Sequence, residues 1–127
     1  MAKVMFSAYN LSDWATVLDA PLEARDTETP WYREDSIPKN LGTVDMLIID
    51  GPPSTVAPLA RFPALPRLLS RMSAFALIIM DDANRDDETE IVKRWLQMFP
   101  SLKYTDGQCE KGCALLELTP PPANVIY

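Results

Sequence analysis

Val44-Asp45-Met46-Leu47-Ile48-Ile49-Asp50 is a nearly continuous apolar run that ends in an acid, Gly51 and two prolines. Continuous rather than alternating apolar character predicts a strand buried on both faces. Leu65, Leu68, Leu69 and Met72 follow at i, i+3, i+4 and i+7, with Arg67 and Arg71 opposite and Pro66 in the first turn. That spacing predicts a helix. Ala74 to Met80 reads as a second buried strand, and it too ends in acids, Asp81-Asp82. A further helix is predicted from Asp86 to Phe99. Asp86, Asp87 and Glu88 sit at its positive end, and Ile91, Val92, Trp95, Leu96 and Phe99 form its apolar face. Glu90 and Arg94 make an i,i+4 pair on it, and Pro100 stops it. Leu102 to Thr105 and Ala114 to Leu118 then flank a turn containing Asp106-Gly107 and Gly112, as a closing antiparallel pair would.

The first forty residues are less decisive. Val4 to Tyr9 has the composition of a short strand. Thr16-Val17-Leu18 suits a strand, while Leu11, Trp14, Ala15 and Leu18 would equally share one helix face. Glu23 to Leu41 is polar, with Pro30 and Pro38, and reads as a long loop. Trp31-Tyr32 within it reads as an aromatic plug over the core. Strand, helix, strand, helix and two strands is the order of an open α/β sheet, whose ligands bind beyond the carboxyl ends of its strands. Asp50, Asp81 and Asp82 fall there.

Composition narrows the functions. The 127 residues suit one domain, spanning 1–127, with its core over about 16–118 and a Pro-rich tail over 119–127. Net charge is −6 and histidine is absent, which excludes Ser–His and Cys–His catalysis and any histidine-ligated metal. An acidic chain also lacks the basic face of a nucleic-acid binder. The longest strongly apolar run, Ala74 to Met80, is far shorter than the ~20 residues that span a bilayer. The N-terminus lacks a signal peptide's apolar stretch, so a cytoplasmic location is expected. Cys109 and Cys113, four apart, could form a disulfide or half a zinc site. Without histidine they cannot complete a four-ligand site unless another chain helps, and free thiols on a hairpin are expected.

The ordered segments VDMLIIDGPP, ARFPALPRLL, LIIMDDANR and EIVKRWLQMFP, with the terminal strand pair, resemble class I S-adenosylmethionine-dependent methyltransferases. The resemblance is to the small bacterial type with IDGPP after the fourth strand and DDA-x-R after the fifth. LDAPLEARDTETPWYRED resembles that type's third strand and following loop, so the likeness covers roughly residues 16 to 118. It implies cofactor contacts from Asp19, Ala20, Asp50 and Gly51. It implies a divalent cation such as Mg2+ on Asp50, Asp81 and Asp82, with Asn84 as a substitute ligand and Asp50 and Asp82 as the catalytic acids. Such a cation would lower the pKa of a substrate hydroxyl and orient it toward the methyl donor. The plainer alternatives are that the strand-end acids cap the next helix or turn, and that Asp19-Ala20 is an ordinary turn. Arg85 would pair with an anionic substrate, with Asp50, or as an exposed surface bridge. Arg61, Arg67 and Arg71 read as a solvated helix face, and Trp95 as core.

The departure from the family is as informative as the likeness. Its members carry a Gly-rich turn after the first strand and an acid after the second. Here Gly42, Gly51, Gly107 and Gly112 are all isolated. The chain therefore resembles the C-terminal half of the fold: a truncated Rossmann-like sheet, mostly parallel, ending in an antiparallel pair. The family's strand order is 3-2-1-4-5-7-6. Without strands 1 and 2, the Met46–Ile49 strand has an unpaired apolar edge. Three repairs are open: the third strand slides in, Val4 to Tyr9 pairs there, or a second copy pairs edge to edge. The expectation is a homo-oligomer that does not bind S-adenosylmethionine alone and acts as an interaction or small-ligand module. The alternatives are an active metal-assisted O-methyltransferase completed by an oligomer or partner, or another α/β domain that uses paired acids and a metal on a sugar or phosphate.

Overall fold

The computed structural model describes residue 11 and residues 13–24, 29–106, 109–110 and 112–119. A short antiparallel pair, β1 (Leu22–Glu23) and β2 (Trp31–Tyr32), stands apart from the main sheet. The main sheet is built from β3 (Val44–Ile49), β4 (Met72–Asp81), β5 (Leu102–Asp106) and β6 (Cys113–Leu118), in the order β3-β4-β6-β5. Two helices connect it, α1 (Ala64–Leu68) between β3 and β4, and α2 (Asp86–Met98) between β4 and β5. β3 and β4 are parallel, while β6 runs antiparallel to both its neighbours. Three of the four strands thus point one way. The fold is mixed α/β, as the element order predicts, and the strand and α2 boundaries fall within two residues of expectation.

Alternation along the paired strands sorts their side chains onto two faces. Leu47 and Ile49 lie beside Ile78 and Met80, which lie beside Leu116 and Ala114. This face packs against Ala64 and Leu65 of α1 and Ile91, Val92 and Trp95 of α2 in one cluster. Trp95 is fully buried, and its indole N–H donates to the Phe62 carbonyl at 3.1 Å. Both helices cover the same face because the chain crosses the sheet in one direction, and right-handed crossovers then fall on one side.

Among the described residues, the opposite face has no such layer. Met46 is 53% exposed, Ile48 63% and Phe75 75%. This corrects the expectation that the β3 run is buried on both faces. The apolar run is continuous, yet only its Leu47 and Ile49 side meets a helix.

Other local expectations also change. α1 ends at Leu68, a 3-10 turn covers Leu69–Arg71, and Met72 enters β4 opposite Val44. Leu65, Leu69 and Met72 all reach the core, so a helix, a turn and a strand start satisfy the apolar spacing that suggested one longer helix. Leu11 and residues 13–18 form neither a strand nor a helix: the Trp14 and Ala15 amides donate to the Leu11 carbonyl. The segment expected to be loop holds the β1–β2 pair, and Trp31 does pack against the core. Val4 to Tyr9 and the tail beyond Thr119 lie outside the described residues.

Trp95→Phe keeps the buried ring and removes the donor to Phe62. A loss of about 1–2 kcal/mol is expected, read as a lower urea midpoint with an unchanged slope.

Candidate functional site

Because β3 and β4 are parallel, their carboxyl ends meet at one end of the sheet. Ile49 is in register with Met80, which sets Asp50 beside Asp81. One carboxylate oxygen from each of Asp50, Asp81 and Asp82 lies within 4.8 Å of the others. Asp82 has a left-handed backbone, φ 53°, and its carbonyl accepts from the Arg85 amide at 3.1 Å. Aspartate tolerates that region better than most residues. The sharp turn brings the Asp82 carboxylate to the strand ends.

The residue that organises these acids is Arg61, on the connection between β3 and α1. It is only 4% exposed. Its Nη1 donates to the Asp81 carbonyl at 2.9 Å. Its Nη2 lies 3.6 Å from Asp50 Oδ1 and 3.8 Å from Asp82 Oδ2, and its Nε lies 3.7 Å from Glu88 Oε1. Glu88 is 3% exposed, and neither Arg61 Nε nor Glu88 Oε2 has a hydrogen-bond partner. The first turn of α2 grips the same connection a second time, since the Leu59 amide donates to Asp87 Oδ2 at 3.0 Å. Leu59 also has a left-handed backbone, φ 52°. Two of the three acids at the start of α2 are therefore spent on holding residues 59–61, beyond any effect on the helix dipole.

Arg61 is the site residue that the sequence reading misses. Grouped with Arg67 and Arg71 it passes for solvated. It is buried because it precedes α1 and projects toward the carboxylates. Arg67 pairs with Glu34 at 2.8 Å and is about one-third exposed. A signal was present: Arg61 stands between Ala60 and Phe62, inside an apolar stretch, opposite three acids that need a counter-charge.

Beside the acids, a cleft of about 300 Å³ runs along the open edge of β3. Trp31, Tyr32, Ile49, Asp50 and Gly51 line it, and no basic residue does. The two rings meet edge to face with centroids 5.1 Å apart. The Tyr32 hydroxyl lies 2.9 Å from where a Cβ on Gly51 would be. A side chain at residue 51 would require the Tyr32 ring to shift. A second cavity, about 480 Å³, lies between α2 and the β5–β6 pair and is lined by Val92, Leu96, Tyr104 and Ala114.

The other expected site residues are dispersed. Asp19 lends its carbonyl to Ser36 Oγ at 2.7 Å, and neither Asp19 nor Ala20 lines the β3 cleft. Asn84 borders the second cavity, and its side chain packs where a Cβ on Gly112 would lie. Arg85 is an exposed bridge to Asp82 at 3.4 Å. Cys109 and Cys113 are bonded to each other, which corrects the expectation of free thiols. β6 begins at Cys113, opposite Asp81, and the turn bends at Gly112 with φ 80°. That geometry brings the two sulfurs together.

A hard dication would want the oxygen donors that Asp50, Asp81 and Asp82 present. Two of those carboxylates already face a buried guanidinium held by two further contacts. An ion seated among them would meet Arg61's charge at close range, so the set fits an internal ion-pair network better than a metal. The cofactor contacts fare no better, because the sequence has no Gly-x-Gly turn and two of the four expected contact residues lie away from the cleft. No family model matches the chain, and no curated protein matches it. Among the described residues, no helix is long and apolar enough to cross a membrane.

Arg61→Met leaves Glu88 buried without its partner and exposes the strand-end acids to one another. A loss of about 3–5 kcal/mol is expected. Arg61→Met with Glu88→Met recovers part of that loss, which equilibrium urea unfolding of the two variants checks. Replacing Cys109 and Cys113 by serine opens a loop of sequence separation 4. The short loop limits the cost to about 2 kcal/mol, and reductant should lower the unfolding midpoint of the native chain but not of the serine variant.

Proposed function

We propose that this domain is the C-terminal half of a class I methyltransferase-like fold, and that it acts as a self-associating, small-ligand module without free-standing methyltransferase activity. The observation that carries this reading is the strand order. β3-β4-β6-β5, with β6 alone reversed, is the order 4-5-7-6 that the sequence resemblance calls for. The acids fall where that order would put them, after its fourth and fifth strands.

The ligand reading rests on the cleft beside Asp50. It joins two aromatic rings, an exposed carboxylate and an apolar floor, next to a cluster in which carboxylates outnumber guanidinium groups. A small cationic ligand suits such a place, through its charge and through the ring faces. The association reading rests on β3, the terminal strand of the sheet, whose outer edge pairs with no strand among the described residues and adjoins the face without helices.

The same cleft favours a second reading, an active S-adenosylmethionine-dependent methyltransferase completed by another chain that supplies the phosphate-free cradle for the cofactor. Open α/β sheets bind ligands where the strand order reverses, and an extension of the sheet beyond β3 would put that reversal beside Asp50.

Titration calorimetry with S-adenosylmethionine, with and without Mg2+, separates the readings. The isolated chain should give no saturable heat at sub-millimolar cofactor. Saturable sub-millimolar binding would restore the enzyme reading. A thermal shift with Mg2+ alone, lost in both Asp50→Asn and Asp82→Asn, would instead point to metal chemistry on another substrate.

A further inference from the structure

We infer that the Cys109–Cys113 bond is a thiol-exchange site, at which Cys109 takes an external monothiol as a mixed disulfide and Cys113 is the resolving thiol that restores the ring. The inference rests on neither the ligand reading nor the association reading. The bond joins two unlike positions. Cys109 is exposed, whereas Cys113, the first residue of β6, is only 5% exposed. Exchange requires a thiolate to reach one of the two sulfurs directly. An external thiol therefore meets Cys109, and the buried Cys113 is withheld from it.

The exchange balances without another reagent. The incoming thiolate bonds to Cys109 Sγ and the bond between the two cysteines breaks. The released electron pair stays on Cys113 Sγ, which takes up a proton from water. On return, Cys113 gives up that proton, its sulfur attacks Cys109 Sγ, and the monothiol leaves as thiolate.

Local structure favours the return. The two cysteines are separated by 4 in sequence, so closing the loop costs little chain entropy. The turn is also preset. The Gly112 amide donates to the Cys109 carbonyl at 3.0 Å, and Gly112 has φ 80°, a region glycine enters without strain. Pairing with Asp81 fixes Cys113 at the start of β6. The resolving sulfur is thus held beside Cys109 at high effective concentration, and the mixed disulfide is the short-lived state. The turn also touches the strand-end acids. The Asn84 side chain occupies the space where a Cβ on Gly112 would lie. Asn84 follows Asp82, which pairs with Arg61 and Arg85. Opening the ring therefore disturbs the Asp82–Arg85 turn.

Oxidised glutathione, offered to the folded chain after reduction, tests this. Trypsin cleaves after Lys103 and Lys111 and so puts the cysteines on separate peptides, 104–111 and 112–127. Cys113→Ser lacks the return step and should keep glutathione on 104–111. Cys109→Ser should take it on 112–127 about tenfold more slowly while folded, because its thiol is inaccessible, and readily in urea. Circular dichroism checks that both variants are folded. The reduced native chain should release both halves of the reagent as thiol and end as the ring. Equal rates for the two folded variants overturn the inference. So does a native chain that retains glutathione, since Cys113 then fails to resolve the adduct. Between the reduced and ring forms, the Asn84 amide resonance should shift while that of Leu65 stays. An unmoved Asn84 overturns the coupling to the acids.

Discussion

The structure depends on a sheet that, among the described residues, is covered by helices on one side only. The chain moves from β3 to β4 to β5 in a single direction, and each crossover carries its helix to the same face. Every large buried side chain of the sheet, Ile78, Met80 and Leu116 among them, points to that face. A one-sided core of this kind can hold a small domain together. It cannot also hide the other halves of strands as apolar as β3 and β4. The exposed Ile48 and Phe75 are thus not incidental. They follow from apolar strands combined with a one-way path, and an α/β sheet normally resolves that conflict with a second helical layer.

Arg61 is the other constraint. It ties the ends of β3 and β4 to the first turn of α2 through one hydrogen bond and three ion pairs. Buried ion pairs add little net stability, because desolvation offsets the attraction. Their value lies in specifying one arrangement. Removing the guanidinium leaves acids from three elements close together with only the exposed Arg85 still paired to one of them. The network therefore defines the strand ends even though it contributes few net kilocalories. It also bears on chemistry, since a guanidinium already occupies the electrostatic role that a cation would take among Asp50, Asp81 and Asp82.

Much of this was legible in the residues. The apolar runs at 44–50 and 74–80, the helical spacing from Ile91 to Phe99 and the turn residues between β5 and β6 each carry a local cause, and each produced its element. Convergence of Asp50 with Asp81 and Asp82 was legible as well, because parallel strands share a carboxyl end. What could not be read was anything decided by a distant partner. Ile48 and Ile49 are chemically alike, yet one is exposed and the other buried, and only the position of α1 separates them. Arg61 and Arg71 look equivalent in the chain, but a short α1 leaves Arg61 outside the helix and beneath three acids. The Cys109–Cys113 bond depends on the turn at Gly112, which spacing alone does not determine.

Edge and face pose different physical problems, and they need not share a solution. An open edge presents backbone groups that water satisfies almost as well as a partner would, so leaving it exposed costs little. An apolar face has no such substitute, because water cannot satisfy methyl and phenyl groups, and the free energy of covering them scales with area. β3 carries both features, with Met46 and Ile48 exposed on its face. Covering that face is therefore the stronger physical demand of the two.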